Sequence, residues 1–127
     1  MKKSADPRHK HRQHLLKWLF AYSFNPHPDQ TPEAILPIVN NLPEIDHSIS
    51  LSASEWPVNQ INRVDLAVLR LAIHELNHTH TPPKVIIDEA IELGKEFGSN
   101  SSAKFINGVL GNILKQLKKD PEIDESA

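Results

Sequence analysis

Cysteine is absent from the 127 residues. That excludes disulfides, cysteine-bound zinc and a thiol nucleophile. It also suits a reducing compartment, so the cytoplasm is the expected location. Aromatic residues make up only 6% of the chain, and there are four glycines. A β-sandwich spends aromatic and β-branched residues on strands and glycine on turns, so this composition argues against one. No apolar run approaches the roughly 20 residues of a membrane-spanning helix, so no membrane contact is expected. The positively charged start, Met1-Lys2-Lys3-Ser4-Ala5-Asp6-Pro7, leads into no apolar stretch, and no signal peptide is read. P-loop, G-x-G-x-x-G and G-x-S-x-G patterns are all missing. Neither an enzyme nor a cofactor is expected.

What is present is charge sorted by position. Lys2, Lys3, Arg8, Lys10, Arg12 and Lys17 against Asp6 alone give residues 1–17 a net +5, which leaves −7 on the remaining 110 residues. His9, His11 and His14 lie in the same basic stretch. A basic arm on an acidic body points to nucleic acid or an acidic partner at one end of the molecule. The plainer alternative is a solubilising tail.

Apolar spacing predicts helices throughout. Over 8–24, Leu15, Trp18, Leu19 and Tyr22 repeat at helical intervals, widened by Leu16, Phe20 and Phe24. Cations in its first turns oppose the helix dipole, which favours a binding role over local stability. Thr31-Pro32-Glu33 reads as a helix start with Thr31 as cap, and Pro37 keeps that helix short. Leu42-Pro43-Glu44 opens another, with Ile45, Ile49 and Ser52 on one face. From Asn62 to about Asn77 apolar residues fall on nearly every side, the pattern of a central helix. Residues 83–97 follow, stopped by Gly98 as a left-handed cap. A last helix carries Ile106, Val109, Leu110, Ile113, Leu114 and Leu117. Gly108 and Gly111 within it suggest close approach of another backbone. The expected organisation is a disordered basic N-terminus over 1–7, a single all-α domain over 8–117 and a frayed tail over 118–127.

Two motifs bear on chemistry. His74-Glu75-Leu76-Asn77-His78 matches H-E-x-x-H, in which two histidines one turn apart hold zinc and the glutamate activates water. Here His78 falls at the helix end and no third ligand is marked, so zinc-peptidase chemistry is a remote alternative. Phe105, beside Lys104, lies off the main apolar stripe. By spacing alone it reads as a core-edge ring; exposed, it would stack on a nucleobase.

The stretch Arg63-Val64-Asp65-Leu66-Ala67-Val68-Leu69-Arg70-Leu71-Ala72-Ile73-His74-Glu75-Leu76 resembles the central helix of the NusB family of bacterial transcription antitermination proteins. Pro82 to Leu93 is similar to that family's next helix, and Phe97-Gly98 with Ser101 to Leu110 to its last loop and helix. Arg8 to Tyr22 resembles its basic first helix more loosely. The resemblance implies an all-helical fold of two small sub-bundles and about six helices, the N-terminal one trimmed because 25–31 is short. It implies an RNA-binding factor that pairs with the small-subunit ribosomal protein NusE and binds the boxA element of nascent ribosomal RNA transcripts. With other Nus factors it would promote read-through by RNA polymerase and support ribosome assembly. Carried over by position, Arg8, Lys10 and Arg12 would touch phosphates. Phe105 would stack on a base with Ser101 and Lys104 nearby, Phe20 and Tyr22 would lie at the partner surface, and Asp65 would lie near both the RNA and the NusE surfaces as a partner contact. Ser101 stands where the family often has an acidic residue, and His74 where it usually has an aromatic one. Histidines replacing arginines in the arm imply RNA binding that strengthens as pH falls. The competing reading is a helical protein-interaction module, possibly a homodimer, with no RNA of its own.

Overall fold

The computed structural model describes residues 6–119, so Lys2, Lys3 and the end of the expected tail lie outside the described residues. Six α-helices and no strand occur among the described residues. They are α1 (Pro7–Phe24), α2 (Leu36–Val39), α3 (Leu42–Ser52), α4 (Arg63–His78), α5 (Pro83–Phe97) and α6 (Ser102–Lys119). Short 3-10 turns occupy Pro28–Gln30, Glu33–Ile35 and Val58–Gln60.

Helix ends follow from local chemistry. Asp6 caps α1: its carboxylate accepts from the Arg8 N–H at 2.8 Å, and Pro7 stands in the first turn. The anion missing from the first turn of α1 is thus supplied by the cap itself. Asn62 caps α4, its side-chain oxygen accepting from Val64 N–H at 2.8 Å and Asp65 N–H at 3.3 Å. Thr31 does not cap a helix. Its hydroxyl donates to the His27 carbonyl, and the chain runs through a 3-10 turn into the four-residue α2. Pro26, Pro28, Pro32 and Pro37 remove backbone donors at too short an interval for a longer helix to form there.

Helix α4 is the axis. Asp65 to Leu69 and Leu71 to Ile73 are all buried. Helices α1, α2, α3, α5 and α6 all pack against it, so α4 belongs to both sub-bundles. The core comprises Leu16 and Leu19 from α1, Ile45 and Ile49 from α3, and Ile86 and Leu93 from α5. Ile106 and Leu110 of α6 complete it against α4. Ser52 shares the buried face of α3 with Ile45 and Ile49. Arg70 breaks the apolar run on α4 and is held by a two-pronged pair to Asp46, at 3.0 and 2.8 Å.

The glycines act differently from expectation. Nothing lies within 4 Å of where a Cβ on Gly108 or Gly111 would sit, so neither marks a close backbone approach. The tight contact is between α5 and α6. A Cβ on Gly94 would sit 2.7 Å from Ile106 Cδ1, and one on Gly98 would sit 2.8 Å from the Gly94 carbonyl oxygen. Gly98 has extended backbone (φ −98°, ψ −160°) and not a left-handed cap. Glycine is needed there for space.

Candidate nucleic-acid interface

The basic residues of α1 divide into two groups. Arg8 and Lys10 face solvent, and Arg8 is 84% exposed despite a loose ion pair to Asp6 at 3.3 Å. Arg12 does not. Its guanidinium makes a two-pronged pair with Glu75 of α4, both bonds 2.8 Å, and lies 3.8 Å from Glu89 of α5. Only 12% of its side chain is exposed. Arg12, expected to touch phosphate, thus has its fork occupied by a carboxylate and its charge balanced inside the protein.

His9 was not anticipated as a structural residue. It is 1% exposed, with Nδ1 2.7 Å from Glu89 and Nε2 3.0 Å from Glu96. Both ring nitrogens thus face carboxylates, the geometry of a doubly protonated imidazolium. Burial pulls its pKa down, but the hydrogen bonds to Glu89 and Glu96 and their charges outweigh that, leaving it above the ordinary histidine value. Gln13 joins the same cluster through Glu96 at 3.2 Å. His9 lies seven residues before buried Leu16, on the same helical stripe. That spacing was the available signal.

The H-E-x-x-H residues do not converge. Glu75 is spent on Arg12, while the rings of His74 and His78 tilt against each other 4.9 Å apart. Burial, then the neighbouring His78, lower the His74 pKa. Among the described residues no group of three histidine or acidic side chains is placed to hold a metal ion.

A groove of about 790 Å³ opens between the end of α3, the start of α4 and the first turns of α6. Ser101, Lys104 and Phe105 of the α6 end line it, as do Trp56 and Glu55. Ser101 and Lys104 are exposed. Phe105 is half-buried, its ring partly in the core and partly on the groove. Ser102 is buried, its hydroxyl accepting from Ser99 N–H at 2.9 Å and fixing the α5–α6 turn that aims these residues.

Asp65, expected at the partner surface, lines this groove and is 5% exposed. Burial raises its pKa, opposed by the Ser102 hydroxyl. Phe20 and Tyr22 are half-buried against the core. The more accessible aromatic of that region is Phe24, edge-on to Phe20 at 4.9 Å and covered by the Arg63 guanidinium at 4.4 Å. Arg63 also donates to the Ser23 carbonyl, tying the end of α1 to the start of α4. Between the arm and the groove, the Lys17 ammonium sits 5.8 Å above Phe97 at the end of α5.

Comparison with known proteins places this architecture. The family model described as the NusB family matches residues 27–115. A transcription antitermination protein NusB from Limosilactobacillus reuteri is 38% identical over 133 aligned positions, covering 89% of this chain and 96% of that protein. One from Dehalococcoides mccartyi is 46% identical over 98 residues, covering 73% of this chain and 68% of its own length. The solved structure of Thermotoga maritima NusB superposes with a TM-score of 0.77 at 34% identity, covering 87% of this chain and 92% of the other. With a central α4 shared by two sub-bundles and a basic α1 folded along it, this chain belongs to the NusB family of transcription antitermination proteins.

Proposed function

We propose that this chain is an RNA-binding antitermination factor. It pairs with the ribosomal protein NusE, binds boxA-type single-stranded RNA of nascent ribosomal transcripts and, with other Nus factors, promotes read-through by RNA polymerase. Supporting ribosome biogenesis is part of the same role. The observation that carries the reading is the joint placement of Lys104, Ser101 and the exposed part of Phe105 on one groove wall. A cation for phosphate, a hydroxyl and an aromatic face are the parts that single-stranded RNA recognition uses.

Arg8 and Lys10 extend the contact along α1 as phosphate ligands. Arg12 supports it indirectly by holding α1 against α4. Phe20 and Tyr22, with Phe24 and Arg63, form the proposed surface for NusE, where an apolar patch rimmed by a guanidinium suits a protein partner. Binding is therefore divided: phosphate contacts set affinity, and ring and edge contacts set sequence.

The test is a titration of boxA RNA with the purified chain, alone and with NusE, at low salt. The expected result is a ternary complex tighter than either binary one. A chain that forms the NusE pair but leaves RNA free at every salt concentration is the protein-interaction module instead.

A further inference from the structure

The H-E-x-x-H stretch is a motif of the sequence that the RNA reading leaves unused. Its glutamate is engaged elsewhere, with both carboxylate oxygens of Glu75 on the Arg12 guanidinium at 2.8 Å. That removes the group that would activate water and leaves His74 and His78 as a pair. They stand one turn apart on α4, with ring centroids 4.9 Å apart and planes tilted by 33°. His74 is half-buried and His78 is exposed. His74 Nδ1 is covered and has no hydrogen-bond partner among the described residues. A buried ring nitrogen left unserved carries a cost that a ligand to it would relieve. Burial, then the neighbouring His78, hold the His74 pKa below the ordinary histidine value, so its ring is neutral at pH 7.

We propose that His74 and His78 chelate one divalent transition-metal ion, of the Zn²⁺, Ni²⁺ and Cu²⁺ class, between a nitrogen of each ring. The spacing fits. With metal–nitrogen bonds of about 2.1 Å at tetrahedral angles, two imidazole centroids stand about 5 Å apart. The donors fit as well, since neutral imidazole suits these ions whereas Ca²⁺ and Mg²⁺ take oxygen. The last turns of α4 also carry the partial negative charge of its free carbonyls, which favours a cation there. Two protein ligands leave the other coordination positions to water, so the site is a chelate and not the three-ligand centre of a peptidase. Because His74 Nδ1 is covered in the unbound chain, the rings must turn to admit the ion, and the exposed His78 has room to do so. An ion held there ties residue 74 to residue 78 across the turn that contains Glu75, and so braces the carboxylate that anchors α1. Nothing in this site depends on RNA.

The experiment is a calorimetric titration of the full, untagged chain with zinc, nickel and copper chlorides in turn, at neutral pH. His11 and His14, both exposed on α1, are replaced by Asn so that they take up no ion themselves. The expected result is one ion per chain, Cu²⁺ bound more tightly than Zn²⁺ or Ni²⁺, and a melting temperature that rises with added zinc. His74→Phe keeps a ring against the same neighbours, and His78→Asn alters an exposed site. Each should weaken binding at least about tenfold, since even removing a group that supports a ligand costs about 10–100-fold. Each should also abolish the rise in melting temperature. In NMR spectra the ring C–H signals of His74 and His78 should move at one equivalent of zinc, and acidification should reverse this as protons compete for the nitrogens. Should His74→Phe fail to fold, His78→Asn carries the comparison alone. Uptake that does not saturate, that survives the substitutions, or that moves only other histidines overturns the site, and water would then be serving His74 Nδ1.

Discussion

Arg12 and Lys10 stand two residues apart on α1 and do different work. Lys10 is exposed, whereas Arg12 and Glu75 enclose each other with side chains 12% and 13% exposed. Breaking such a pair leaves a carboxylate short of its partner in a poorly hydrated site, at a cost of about 3 kcal/mol. Arg12→Ala should therefore lower thermal stability by about that amount and leave the salt slope of RNA binding unchanged. Lys10→Ala should leave the melt unchanged and flatten the salt slope by about 0.7 of a unit, the single-strand value for one phosphate contact. Melting curves beside salt titrations of both variants check this, and the reverse assignment would return Arg12 to the phosphate contacts. The sequence offered the basic residues but not their division. Glu75 is 63 positions from Arg12, and an acidic residue at that spacing looks like any solvated surface charge. Phe105 and Lys104 could be singled out because the resemblance covers residues 61–114 almost without a gap. Trp56 and Ser52 fall at the edge of the stretch that matches weakly, and the groove that unites them exists only in three dimensions.

Docking of α1 also depends on a single titrating side chain. His9 has its folded pKa raised above 6.5, so the stability it contributes is present in full below pH 6.5 and is lost as pH rises through the folded value. The groups facing it are Glu89 and Glu96 of α5, with Arg12 one turn along α1 and Glu75 of α4 behind Arg12. His74 acts with the opposite sign, because its folded pKa is lowered and its neutral form is favoured on folding. The wild-type profile mixes the two, so the difference between wild type and His9→Asn isolates the clasp. That difference in melting temperature should be largest at mildly acid pH and should shrink as pH rises past neutrality. A difference constant across this range would show that His9 stays neutral in the fold. Histidine in the arm thus changes helix docking as well as any direct RNA contact, a consequence that its position in a basic run did not reveal.

The α5–α6 turn offers a second test on the same scale, through its glycines. Gly98→Ala pushes a methyl group to 2.8 Å from the Gly94 carbonyl oxygen and 2.8 Å from Ser102 Cβ, so backbone or a buried side chain must shift. It should cost about 1–3 kcal/mol, as overpacked sites do. Gly111→Ala meets open space and should stabilise by up to about 1 kcal/mol through helix propensity. Denaturant melts of the two variants should move in opposite directions. Helix limits were legible here because Pro83, Gly98 and the Ser102 region carry end signals in the chain itself. Which glycine faces a neighbour depends on how two helices meet, and no local pattern encodes that.

Over the whole molecule, the sequence asymmetry of +5 against −7 is smaller in the fold than on paper. Arg12 and His9 are balanced by Glu75, Glu89 and Glu96, so part of the acidic body has folded against part of the basic arm. The cations left exposed for a polyanion include Arg8, Lys10 and Lys17 on α1 and Lys104 on α6, and the proposed line runs through the three lysines. Lys17 over Phe97 bridges the two ends, because Phe97 leads directly into the turn that carries Ser101. One strand following this line would contact all three lysines, whereas two independent weak sites would not couple them. On the single-track reading, alanine at Lys10, Lys17 and Lys104 should each remove about 0.7 of a unit from the salt slope, and the triple variant should remove about three times that. On the two-site reading, the Lys104 variant would alter the slope only for RNAs that occupy the groove, and the Lys10 variant only for those that do not. Salt titrations of the singles and the triple with one RNA of fixed length separate these outcomes, since additivity within a single binding isotherm requires all three cations to act on the same strand.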